Sequence, residues 1–147
     1  MDVLSYDPGP LPTAPSPRAG EMVEITVEGW PPWKDVSASI RNRSNHQYTT
    51  FARLRDAAIA AMNGRAWYVG PISLDITIRC PEDQSRRGLV DYLGGIMDTL
   101  GGCHGYSFTY LPVVSEDDAQ VCSGKSQFIA DDAVSYDVRI RFLDESA

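Results

Sequence analysis

From Ile72 to Cys80 the chain alternates without a break, with Ile72, Leu74, Ile76, Ile78 and Cys80 separated by Ser73, Asp75, Thr77 and Arg79. Successive side chains of a strand point to opposite faces, so this pattern describes a strand with one dry face and one wet face. Pro81 ends it. The same period recurs at Val23, Ile25 and Val27 within Met22–Gly29, and at Val134, Tyr136, Val138, Ile140 and Phe142, whose other face carries Asp137, Arg139 and Arg141. Val121–Ala130 is a weak strand candidate. The fold must therefore cover one face of a sheet. After the first strand, Gly29-Trp30-Pro31-Pro32 removes two backbone donors and forces the chain out of the sheet. Trp30 and Trp33 at that exit either cover one end of the core or offer flat faces for bases to stack on.

Two segments have the period of a helix. With Thr49 or Thr50 as N-cap, Phe51, Leu54, Ala58, Ala61 and Met62 form one apolar stripe, and Asn63-Gly64 supplies the stop. Arg53 and Arg55 fall off that stripe, which predicts a solvated face first and a phosphate contact second. The second helix is predicted in Arg86–Leu100, where Leu89, Tyr92, Leu93, Ile96, Met97 and Leu100 repeat at helical spacing and Gly101-Gly102 ends the run. Gly94-Gly95 inside it costs roughly 2 kcal/mol relative to alanine unless a backbone packs closely there. A helix crossing or a subunit contact is the expected offset. The order β-α-β-α-β-β predicts an α+β fold in two layers, with the helices on one face of a small mixed sheet.

Charge limits the partners. Thirteen lysines and arginines face 20 acids, a net charge of −7, in a chain of 147 residues. Nucleic-acid binders usually neutralise phosphates with basic side chains, so binding here needs the bases to cluster, as Arg41, Arg43, Arg53, Arg55 and Arg65 do in sequence. Residues 1–20 hold Pro8, Pro10, Pro12, Pro15 and Pro17 and few bulky apolar side chains, which predicts a disordered or loosely docked tail before one domain over 21–147. Lys34–Tyr48 reads as a polar, basic loop containing His46, and Cys103–Val114 as a folded-over loop or an extra hairpin. Cys80, Cys103 and Cys122 are odd in number and lack zinc spacing. No apolar run approaches the ~20 residues of a spanning helix, and the start lacks a signal pattern, so the expected setting is the cytoplasm.

The chemistry-bearing stretches are RRGLVDYLGGIMDTL at Arg86–Leu100 and SEDDAQV at Ser115–Val121, which together could hold a cation or a phosphodiester. With VEGWPPWK at Val27–Lys34, they make the chain resemble the RusA family of Holliday-junction endonucleases over most of Met22–Leu143. The resemblance implies a homodimer that cuts branched DNA with Mg²⁺, held by an acidic D-x-D-N motif on helix two, with a lysine one turn later and a double aspartate before the third strand. Hard oxygen ligands would localise the ion, which activates water and stabilises charge on the phosphodiester.

Carried over without gaps, the two helix aspartates fall on Gly88 and Val90, the asparagine on Asp91 and the lysine on Gly94, while Asp117-Asp118 keeps the double aspartate. Shifting Asp91 into a ligand position rotates the apolar stripe by ~100° per residue. Nothing in the spacing of Glu82, Asp83 or Glu116 singles them out as replacements. The expectation is a RusA-like, dimeric DNA- or protein-binding module with a lost or rebuilt metal site and weak or no cleavage. The alternative is an active Mg²⁺ endonuclease using Asp91, Asp117 and Asp118. DNA contacts are expected from Lys34, Arg41, Arg43, Arg53 and Arg55.

Overall fold

A computed structural model describes residues 9–34, 45–101, 111–116 and 118–145. The strands are β1 (Met22–Glu28), β2 (Ile72–Cys80), β3 (Val121–Ala130) and β4 (Ser135–Phe142). The helices are α1 (Tyr48–Met62) and α2 (Leu89–Leu100). The sheet order is β1-β4-β2-β3, with β4 antiparallel to β1 and β2, and β3 parallel to β2. This is the expected α+β class with a mixed sheet.

Register explains the two layers. Ile25 lies opposite Val138, which lies opposite Ile76, and Val27, Tyr136 and Ile78 form the next row. These residues are buried together with Leu54, Ala58 and Met62 of α1 and Tyr92, Ile96 and Leu100 of α2. Burying a side chain of this size contributes about 1.5–3 kcal/mol, so three aligned strands with a common apolar face require the helices to cover it. No helix among the described residues is long and apolar enough to cross a membrane.

The opposite sheet face is laced by charge. Arg79 Nη1 and Nη2 donate to Asp137 Oδ2 and Oδ1 at 2.7 and 2.8 Å, and Arg79 Nε donates to Ser135 Oγ at 2.9 Å. Thr26 Oγ1 donates to Asp137 Oδ1 at 2.8 Å. The Arg79 guanidinium, and then Thr26, holds the Asp137 carboxyl below its ordinary range. A depressed carboxyl stabilises the fold fully above its unfolded value of about 3.9 and loses that contribution as pH falls through the folded value. Asp137→Asn is therefore expected to destabilise by about 1–2 kcal/mol at pH 7. In chemical denaturation the gap from wild type should shrink as pH is lowered below about 4.

Three local expectations are corrected. Of the two forms expected for the proline-rich stretch, its described part takes the docked one and is an arm held by backbone hydrogen bonds, not disordered. Thr13 and Ala14 N–H donate to Gly64 O at 2.9 and 3.0 Å, Ala66 N–H to Ala14 O at 3.0 Å, and Gly20 N–H to Phe142 O at 2.7 Å. Ser16 Oγ donates to Trp67 O at 2.7 Å, and Pro17 is buried. An arm that pairs through the backbone between its prolines needs no periodic apolar pattern. Residues 1–8 lie outside the described residues.

The second correction is the start of α1, where Gln47 occupies the N-cap position in place of a threonine. Its side chain is engaged elsewhere, accepting from Trp33 N–H at 2.8 Å and donating to Trp33 O at 3.1 Å. The third is the glycine pair. A Cβ on Gly95 would lie 2.2 Å from Pro32 O and 2.6 Å from Trp33 Cα, and one on Gly94 would lie 3.2 Å from Lys34 Cβ. The close approach comes from the β1 exit of the same chain and not from a crossing helix.

Candidate functional site

The structure separates the carboxylates expected to share a metal. Asp91 is exposed in the first turn of α2. Asp118, also exposed, opens a turn of 3-10 helix over Asp118–Gln120 at the other end of that helix. This turn is fixed by Gln120, whose Nε2 donates to Tyr68 O and Gly70 O at 2.7 and 2.8 Å and whose Oε1 accepts from Glu116 N–H at 2.7 Å. Val113 and Val114 N–H both donate to Leu100 O, which ties the turn's approach to the C-terminus of α2. From Asp91 to Leu100 the helix rises about 14 Å.

A second route gives the same answer. Tyr92 packs edge-on against Phe128, 6.3 Å between ring centres, whereas Asp118 precedes Val121. The strand between Val121 and Phe128 runs about 23 Å. Ligand oxygens must lie ~2.1 Å from Mg²⁺, so Asp91 and Asp118 of one chain do not share that ion. Asp117 lies outside the described residues. Among those described, no three His, Cys, Asp or Glu side chains form a metal-holding group.

The expected basic segment also divides. Arg53 is exposed, with its guanidinium beside Gly29. Arg55, expected on the solvated face, is only 6% exposed, and its Nη2 donates to Leu111 O at 3.2 Å. The reason is helical: Arg55 is four residues after Phe51 and three before Ala58, so it lies within the buried stripe, and Gly9 of the arm closes over its head. Arg55→Ala is expected to cost about 1–3 kcal/mol in denaturation through lost packing and hydrogen bonding. Lys34 reaches along α2 to Asp98 at 3.4 Å, covering the Gly94 position. Arg41 and Arg43 lie outside the described residues.

What the fold does bring together is a set of arginines and aromatic rings at the start of α2. Trp30, at the β1 exit, stacks on Tyr92 with ring centres 5.8 Å apart and planes 8° apart. The Arg87 guanidinium lies over Trp33 at 4.2 Å, and that of Arg86 lies over Phe128 at 3.7 Å. Arg87 N–H donates to Tyr92 Oη at 3.3 Å, and Arg86 Nη1 to Cys80 Sγ at 3.7 Å. Trp30, Trp33, Ser85, Arg86, Arg87 and Tyr92 line an open groove of about 360 Å³. Among the described residues neither guanidinium pairs with a carboxylate.

Each part of this groove has a local cause. Two buried prolines at 31 and 32 turn the chain off β1, Gly95 lets their backbone settle on α2, and buried Gln47 clasps both backbone groups of Trp33. Arginine laid on an aromatic face keeps its N–H edge available for anions, a geometry lysine does not reproduce. The positive end of α2 lies beside them, with Gly88 as an N-cap that makes no side-chain bond. Sequence reasoning assigned Tyr92 only to the core stripe and did not find Gln47. The tryptophans and the arginine pair were visible, but not that β1 and α2 bring them to one place.

No protein-family model matches the chain, and no curated protein matches it significantly. Fold and site together define an α+β domain with a cationic, aromatic groove at the mouth of its second helix.

Proposed function

We propose that this chain is a RusA-like homologue whose metal site is lost, acting as a dimeric DNA-binding module with weak or no cleavage. The observation that carries the reading is the start of α2. Where the resemblance places two carboxylates, Gly88 has open space around its Cβ position and Val90 is 81% exposed, and Arg86 and Arg87 come just before. Guanidinium groups beside a helix N-terminus repel a dication and attract a phosphate. The exposed position of Val90 also means that packing does not explain its apolar side chain.

The alternative, an active Mg²⁺ endonuclease using Asp91, Asp117 and Asp118, now carries a geometric condition. Asp91 of one chain would have to meet Asp118 of a second, in a dimer that sets the start of one α2 against the end of the other. Incubating the protein with a labelled four-way junction in Mg²⁺ or Mn²⁺ separates the readings. Binding without strand cleavage is expected. Cleavage at ordinary enzyme rates, abolished by Asp118→Asn, would establish the alternative.

A further inference from the structure

We infer that the groove between Trp30, Trp33, Arg86, Arg87 and Tyr92 binds an unpaired stretch of single-stranded nucleic acid, with phosphates on the two guanidiniums and a base stacked on the tryptophan–arginine surface. This rests on the reading of the chain as a nucleic-acid-binding module and adds which form of the polymer it holds and through which residues.

Three observations carry it. The first is chemical: aromatic rings and arginine planes are the surfaces on which unstacked bases lie, and an adjacent arginine edge is what their phosphates take. Here Arg87 is layered on Trp33 and Arg86 on Phe128, so each cation is already held against a ring. The second is size. A groove of about 360 Å³ admits a base with its sugar and phosphate, being at the lower end of the ~300–1,000 Å³ of small-ligand sites. It is too small to seat a duplex.

The third is the surrounding charge. Glu28, Glu82, Asp83 and Asp91 are all exposed and stand within a few residues of the groove-lining positions. Carboxylates so near in sequence leave no long basic track, which the rigidly spaced phosphates of a duplex need. A flexible strand can enter the groove and turn away from them. The cationic patch is thus local in a chain of net charge −7, which suits a few contacted phosphates and not an extended track.

The test titrates the full chain with oligothymidine, with oligouridine and with a blunt duplex of equal length, following tryptophan fluorescence and oligonucleotide anisotropy. Single strands are expected to bind about tenfold or more tighter than the duplex and to quench fluorescence, the tighter of the two naming the polymer. The slope of log affinity against log salt should be about −1.4, corresponding to two phosphates on a single strand. Arg86→Ala with Arg87→Ala, both at exposed positions, should weaken binding about tenfold or more and flatten that slope. Arg141→Ala, on the opposite face of the sheet, should change neither. Equal binding of duplex and single strand, or single-strand binding that survives the double substitution, would overturn the inference while leaving the DNA-module reading intact. No binding of any nucleic acid at low salt would overturn both.

Discussion

Gly95→Ala is expected to destabilise the protein by about 1–2 kcal/mol, although alanine is the better helix former. In an uncrowded helix the substitution would stabilise by about 1 kcal/mol. Here the new Cβ would lie 2.2 Å from Pro32 O and 2.4 Å from Pro32 C. Those are backbone atoms, held between two buried prolines and the Gln47 clasp, so they cannot swing aside as a side chain would. Forcing an extra carbon into such a contact costs about 1–3 kcal/mol or more, which exceeds the propensity gain.

Gly94→Ala is the internal control. Its neighbour is the flexible Lys34 side chain at 3.2 Å, so it should be neutral or mildly stabilising. Urea denaturation of both variants reads the difference directly, and a Gly95→Ala protein more stable than wild type would show that the loop does not pack on α2. Loss of this contact should also displace Trp33 from Arg87. Single-strand affinity is therefore expected to fall with stability in Gly95→Ala and not in Gly94→Ala.

Gly124→Ala is expected to be more damaging, at about 2–4 kcal/mol, for a different reason. Gly124 has φ +154°, which L side chains rarely adopt, and a Cβ there would lie 1.9 Å from Leu74 O on the neighbouring strand. Gly124 pairs with Leu74 just after the register irregularity at Ile72 and Ser73. β3 has β2 as its only strand neighbour among the described residues, so separating the two frees the edge of the sheet. Because Phe128 on β3 carries the Arg86 guanidinium, the strand also supports one wall of the groove's surroundings. Thermal denaturation should show the loss. An unchanged midpoint would mean that β3 shifts without cost and that its register is not fixed at Leu74.

Most elements of the fold were legible because they carry their own period. β2 and β4 alternate cleanly, and β3, only a weak strand candidate in the sequence, runs over Val121–Ala130 as expected. The N-terminal arm was not legible, since Thr13 and Ala14 dock through backbone hydrogen bonds that leave no side-chain pattern. Arg55 was misread because a long polar side chain can occupy a buried stripe when its head finds Leu111 O, and that partner is remote in sequence.

The candidate site was legible in pieces only. The arginine pair and the tryptophans stood out, but their meeting depends on how the β1 exit crosses the start of α2. The acidic residues looked convergent because they flank the same helix. Once that helix is placed between them, flanking means separation by its full length. EDDAQV accordingly has a firm structural role in this chain, with Gln120 fastening the entry to β3 to Tyr68 and Gly70.

The central claim is that the start of α2 attracts an anion where the resemblance would place a cation. Affinity for a labelled single strand, measured first in EDTA and then over rising millimolar Mg²⁺ at constant ionic strength, tests it most directly. Binding should be complete in EDTA and weaken as Mg²⁺ competes for the phosphates, with no strand cleavage at any concentration. Binding that appears only when Mg²⁺ is added, or cleavage that follows it, would contradict the claim.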